Sequence, residues 1–200
     1  MTSLVSDKLT ERLRRKEHEA FNELVRLCHT PVYRLAQRIV RNTHDAQEVA
    51  QETFLAAYVG IDGFQGRANI KTWLLSITYR KAVDRIKSRS EEGRLMAGTL
   101  DEADLWKIVH SVEDFTDWGK NPEQNYERGQ LTEHLNQALE KVPADSRAVF
   151  ELRDLQGLSS REASEILGIN EGALRVRLHR VRQFLMKELQ TLFSEKGEQP

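Results

Sequence analysis

Residues Leu158 to Arg182, LSSREASEILGINEGALRVRLHRVR, restrict this chain more than any other stretch. They spell a helix, a tight turn and a second helix. Ser159 is placed to cap the first helix, and Glu162 stands three residues later, the spacing of a capping box. Ala163, Ile166 and Leu167 give that helix an apolar stripe. Gly168 marks its end, because a helix stop often needs a left-handed residue. Asn170 can cap the next helix. At about 100° per residue the second helix sorts into two faces. Leu174, Leu178, Val181 and Leu185 lie on one side; Gly172, Arg175, Val176, His179 and Arg182 lie on the other. Arginines on a helix are common and by themselves only solvate a face. The capping box, glycine stop, second cap and basic outer face together favour a helix-turn-helix over a plain helical hairpin. Such a helix suits a DNA major groove about 12 Å wide.

The length of 200 residues allows one large domain or two small ones. No apolar run approaches the ~20 residues of a membrane span, so no membrane insertion is expected. The stretch LTERLRRKEHEAF lacks the apolar core of a signal peptide, which predicts a cytoplasmic protein. Cys28 is the only cysteine, so no internal disulfide can form, and it sits on an apolar stripe as a small core residue. No phosphate loop, metal-ligand spacing or nucleophile–base pair is signalled. The chain is therefore read as a non-enzyme with no cofactor and no metal. Its net charge of −1 hides a strong division. Arg67 to Arg94 is basic, Leu95 to Glu127 is acidic, and the helix-turn-helix end is basic again, so local charge is the better guide to partners.

In chain order, residues 8–28 have helical spacing through Leu9, Leu13, Phe21, Leu24, Val25 and Cys28. Thr30-Pro31 predicts a break and restart, with Pro31 in the first turn of the new helix. Val32, Leu35, Ala36, Ile39 and Val40 continue the stripe. Asn42-Thr43 predicts another stop, with Thr43 as the next cap. In the helix from His44 to Tyr58, Asp45, Glu48 and Glu52 make an acidic ridge. It is either a solvated face near a helix N-terminus or a docking surface for a basic partner helix. Gly63 and Gly66 mark a loop holding Phe64, which either plugs the core or supports a pocket. The next helix, Ile70 to Lys87, puts Leu75, Tyr79, Ala82, Val83 and Ile86 on one face. Trp73, Ile77, Arg80, Asp84 and Lys87 share another. That mixed face fits stacking on unpaired bases with phosphate contacts alongside, or Trp73 is simply core. Ser88 to Glu127 reads as an acidic tether with short apolar segments around Trp106 and Trp118. Two further helices, Tyr126 to Lys141 and one opened by Pro143, give the helix-turn-helix its core.

Three segments in this order carry a family resemblance: DAQEVAQETFLAAY (Asp45 to Tyr58), FQGRANIKTWLLSITYRKAVDRIK (Phe64 to Lys87) and the helix-turn-helix. The sequence resembles the small extracytoplasmic-function sigma factors of bacterial RNA polymerase over about Ala20–Arg89 and Leu131–Leu189. The resemblance implies an all-α fold of two small helical domains. These are a region-2-like bundle over 1–90 and a region-4-like helix-turn-helix over 128–195, joined by a flexible acidic linker over 91–127. It implies that Asp45, Glu48, Gln51 and Glu52 dock on the coiled coil of the polymerase β′ subunit. It implies that Phe64, Arg67 and Asn69 form a pocket for a base flipped from the −10 element. Trp73, Ile77, Arg80 and Asp84 would read and melt that element; flipping a base costs a few kcal/mol of stacking. Arg175, Val176, His179 and Arg180 would meet the −35 element as duplex. Arg180 lies off the centre of that face and suits phosphate contact. The implied partners are core RNA polymerase through its β′ and β subunits, promoter DNA and an anti-sigma factor.

Two departures bear on specificity. Ala173 and Val176 stand where the recognition helix of relatives often has a small hydroxyl residue, and an apolar contact there favours a thymine methyl. Arg80 stands where others have a neutral side chain. A conventional helix-turn-helix regulator would explain residues 131–189 but not the Trp73 and Arg80 face. A sigma mimic that titrates an anti-sigma factor would not need Arg175, Arg177 and Arg180.

Overall fold

A computed structural model describes residues 2–66, 68–93 and 125–196, and among these all regular structure is helical. The connector beyond Gly93, with its apolar segments, lies outside the described residues, as does Arg67. Four helices come first: α1 (Thr2–Arg14), α2 (His18–Val40), α3 (Thr43–Gly60) and α4 (Ile70–Gly93). The second set is α5 (Asn125–Glu140), α6 (Ala144–Phe150), α7 (Ser160–Leu167) and α8 (Glu171–Lys196). Helix therefore enters both ends of the expected 91–127 tether.

Helices α2, α3 and α4 pack on one another as a three-helix bundle. Its core holds Leu24, Val32, Leu35 and Ile39 from α2, Val49 from α3, and Leu74 and Leu75 from α4. The helical stretch expected over residues 8–28 is divided. Lys16 takes a left-handed conformation (φ 58°), so α1 and α2 meet at a corner. The break expected at Thr30-Pro31 is absent, and α2 runs through Pro31. A proline inside a helix costs a hydrogen bond, at roughly 3 kcal/mol. Cys28, Val32, Leu35 and Ala36 stay buried on both sides of it, and that continuous burial offsets the loss. Burial also holds the Cys28 thiol above its ordinary pKa, which keeps it protonated and inert. Asn42, rather than Thr43, caps α3: its side chain accepts from the Asp45 N–H at 3.0 Å.

The second unit gathers α5, α6 and α7 against α8. Leu174, Leu178, Val181 and Leu185 of α8 are buried there with Leu139, Val149, Leu152, Ala163 and Ile166. Between α6 and α7 the chain makes a π-helical turn over Glu151–Leu155, and Gly157 leaves it with φ 69°. The two units touch: α6 and the π-turn pack on α2, and α7 packs on α4.

Candidate polymerase and promoter interfaces

The helix-turn-helix forms as its sequence dictates. The Ser159 hydroxyl accepts from the Glu162 N–H, and the Glu162 carboxylate accepts from the Ser159 N–H at 2.9 Å. The Ser159 hydroxyl also donates to Glu162, at 2.7 Å. These bonds hold the Glu162 carboxyl below its ordinary pKa. Gly168 closes α7 with φ 66° and ψ 30°. The Asn170 side chain accepts from the Ala173 N–H at 2.7 Å and starts α8. With its apolar side locked, α8 exposes Gly172, Arg175, Val176, His179 and Arg182. Arg175 is exposed, and among the described residues it pairs with Glu171 at 4.0 Å. Val176, 49% exposed, is a large apolar side chain left at the centre of a polar face. Arg180 is half-buried at its edge, and Arg182 is held by two hydrogen bonds to Asp154 (2.9 and 2.6 Å).

The outer face of α4 is built differently. Phe64 is buried and packs against Trp73, their ring centroids 5.1 Å apart. The Phe64 ring thus lies under the loop as a brace, and Trp73 is half-buried. The Phe64 carbonyl accepts from Arg14 Nη2 at 2.6 Å, which ties the loop to α1. Asn69 is exposed, and its side chain caps α4 by accepting from the Lys71 N–H at 2.9 Å. Ile77 is half-buried, while Arg80 and Asp84 are exposed one and two turns on. Arg80 bends back to the Ser76 carbonyl (3.1 Å), which sets its guanidinium beside the helix. Trp73, Ile77, Arg80 and Asp84 thus share one accessible strip. Tyr79, Val83 and Ile86 are half-buried, while Leu74 and Thr78, absent from the sequence-level face, are fully buried.

The acidic ridge of α3 is the largest revision. Asp45 is buried and its carboxylate engages Arg85 and Arg89 of α4. Arg85 also reaches Glu48 at 2.5 Å and Glu52 at 3.0 Å, and Lys81 reaches Glu52 at 3.1 Å. Asp45 is therefore an internal strut between helices and is not displayed to a partner. Glu48 and Glu52 are shared, with side chains about 40% exposed (40% and 44%). Gln51 points outward. Leu55, Tyr58 and Val59, exposed at 58%, 46% and 76%, extend the same outer face. Sequence reading missed them, although Leu55 and Val59 at i and i+4 opposite the apolar stripe were the signal. His44, Asp45 and Glu48 bring ligand atoms within 4.8 Å of one another. The arginines already seated on these carboxylates disfavour a cation there.

No helix among the described residues is long and apolar enough to cross a membrane. Family comparison matches residues 24–92 to Sigma-70 region 2 and residues 133–185 to Sigma-70, region 4. The ECF RNA polymerase sigma factor SigW of Bacillus subtilis (strain 168) is 31% identical over 185 residues, 92% of this chain and 97% of that protein. The ECF RNA polymerase sigma-E factor of Escherichia coli (strain K12) is 32% identical over 189 residues, 94% of this chain and 96% of that protein. Among solved structures, the sigma factor RpoE from Bartonella quintana, in complex with the anti-sigma factor NepR, shares the fold. Its TM-score is 0.64 at 20% identity, over 85% of this chain and 96% of that one. The matched regions cover most of both helical units, and the chain belongs to the extracytoplasmic-function sigma factors of RNA polymerase.

Proposed function

We propose that this sigma factor, which directs RNA polymerase to promoters, works as a two-point clamp with no chemistry of its own. The observation that carries the reading is the exposed face of Arg175, Val176 and His179 on a helix whose opposite side is locked in core. That face enters the major groove of the −35 duplex. Arg175 and His179 reach base edges, Val176 meets a thymine methyl, and Arg180 meets phosphate. The strip of Trp73, Ile77, Arg80 and Asp84, with the loop before it, receives the −10 strand once it is single. Stacking on an aromatic is worth ~1–3 kcal/mol per base and offsets the cost of unpairing. Phe64 acts from beneath, holding Trp73 and the loop in place. Core polymerase docks on the outer face of α3, where Glu48, Gln51 and Glu52 adjoin Leu55, Tyr58 and Val59. Polymerase supplies the catalysis. RpoE was solved with an anti-sigma factor, and we extend that class of partner to this chain.

The test is transcription by core polymerase, with and without the protein, on a randomised promoter library. A paired motif at −35 and −10 is expected among the enriched templates. Enrichment of neither element defeats the reading. Matches to sigma regions in both helical units disfavour a conventional regulator.

A further inference from the structure

The loop before α4 is gripped from two sides, by α4 and by α1. Ile61 and Ile70 anchor its ends in the core. Between them the backbone leaves the core at Phe64, carries Gln65 and Asn69 at the surface, and returns. The Phe64 ring packs on Trp73 of α4. The Phe64 N–H closes the 3₁₀ turn Ile61–Gly63 by donating to the Ile61 carbonyl at 3.0 Å. The Phe64 carbonyl accepts from Arg14, the last residue of α1, at 2.6 Å.

The grip of α1 follows from its sequence. Leu9 and Leu13, one turn apart, are buried, and Thr10 is buried beside them. Arg14 stands one turn after Thr10, so it lies at the edge of that buried stripe. A cation in the last turn is also favoured by the negative end of its own helix. The chain then turns at Lys16, whose φ of 58° is left-handed. Lys16 Nζ reaches Asp62 Oδ2 of the 3₁₀ turn at 3.4 Å. Arg12 braces the corner with bonds to Glu17 at 3.0 Å and Glu23 at 2.8 Å. Such partly exposed pairs contribute little to stability one by one. What they fix is where the end of α1 stands relative to the loop.

The Arg14 bond differs from these in the atom it holds. A peptide is planar, so the Phe64 carbonyl and the Gln65 N–H lie in one plane. Holding the carbonyl sets the direction in which the backbone enters Gln65 and Gly66, and Gly66 then takes φ 71°. The bond is charge-assisted, which makes it roughly twice as strong as a neutral one. Phe64 is therefore fixed at its ring by one helix and at its peptide plane by another. A pocket that must choose among bases needs its walls set to about 0.5 Å before the base arrives.

We propose that Arg14 is a positioning residue for −10 specificity: it holds the peptide plane after Phe64, so that the loop presents one fixed pocket to the flipped base. This rests on the reading of that loop as the −10 pocket. Arg14 acts through the Phe64 carbonyl and does not need to touch DNA. A cation on a phosphate strengthens binding to every sequence alike. A cation on the loop backbone changes how well one base is told from another.

The test uses core polymerase with the full chain and a promoter library whose −35 element is fixed and whose −10 element is randomised. Arg14→Ala should relax preference at one −10 position by roughly three- to tenfold, because small misplacements are costly. The other −10 positions and the salt dependence of initiation should stay as they are. Arg14→Lys keeps a charged donor and should recover part of the preference. Arg15→Ala removes the neighbouring exposed cation and should change no base preference. Thermal unfolding should shift little in all three variants. Preference unchanged in Arg14→Ala overturns the proposal. So does a uniform loss over all −10 positions with a shallower salt slope, which puts Arg14 on a phosphate. A wild-type chain with no −10 preference removes the pocket reading itself, and the role of Arg14 with it.

Discussion

Helices α4 and α8 are both rich in arginine, and the structure uses the two sets in opposite ways. On α8, Arg175 at the centre of the outer face is exposed, with Glu171 at the 4.0 Å limit of an ion pair, while Arg182 at its end is held by Asp154. On α4, Lys81, Arg85 and Arg89 are committed to Asp45, Glu48 and Glu52 of α3. What α4 leaves on its accessible strip is part of Trp73, the aliphatic Ile77, Arg80, Asp84 and, at its far end, Lys87. A strongly cationic face suits a duplex, whose charge is dense. An aromatic strip with little net charge suits unpaired bases, where stacking carries the energy. Basic character along a helix therefore says little until the neighbouring helix is known.

Five variants break or sharpen this contrast. The largest effect is expected from Leu174→Ala, since Leu174 is fully buried behind the duplex-reading face. It should cost about 2–5 kcal/mol in thermal unfolding and abolish −35-dependent initiation. An unchanged melting temperature would mean the face is not held as described. Next, Arg175→Ala should lose about 1–3 kcal/mol of discrimination at one −35 base pair, read as relaxed preference in the promoter library. Arg85→Ala is its counterpart on α4. It should leave promoter preference unchanged and cost at most about 1 kcal/mol of stability. If Arg85→Ala altered base preference and Arg175→Ala did not, the contrast would be reversed.

On the α3 face, Glu52→Lys should weaken binding to core polymerase by roughly tenfold, about 1.4 kcal/mol, without changing −35 preference. Unchanged affinity would move docking away from α3. The smallest effect, about 1 kcal/mol, is expected for Ser159→Ala, and it should depend on pH. The Glu162 carboxyl is lowered in the folded chain by its bonds to Ser159. Its contribution is complete above the ordinary glutamate pKa of about 4.3 and is lost as pH falls through the lower folded value. The difference between wild type and Ser159→Ala should therefore shrink in acid. A difference constant from pH 7 to 3 would place the cost elsewhere.

The sequence alone determined the helix-turn-helix down to its caps. Ser159 with Glu162, Gly168 and Asn170 act over three or four residues, and the apolar period of α8 names its buried side without help from the rest of the chain. The mixed face of α4 was legible for the same reason. Tertiary structure alone decided whether α2 broke at Pro31, because burial on both sides outweighs a local preference. It also decided that Asp45 faces inward, since the arginines that claim it lie 40 and 44 residues away in sequence. The contact of α6 and the π-turn with α2 was invisible for the same physical reason. Arg147 and Glu151 carry no local signal, and their partners on α2 are more than a hundred residues distant. Long-range charge pairing depends on where packing puts the chain, and sequence periodicity does not record that.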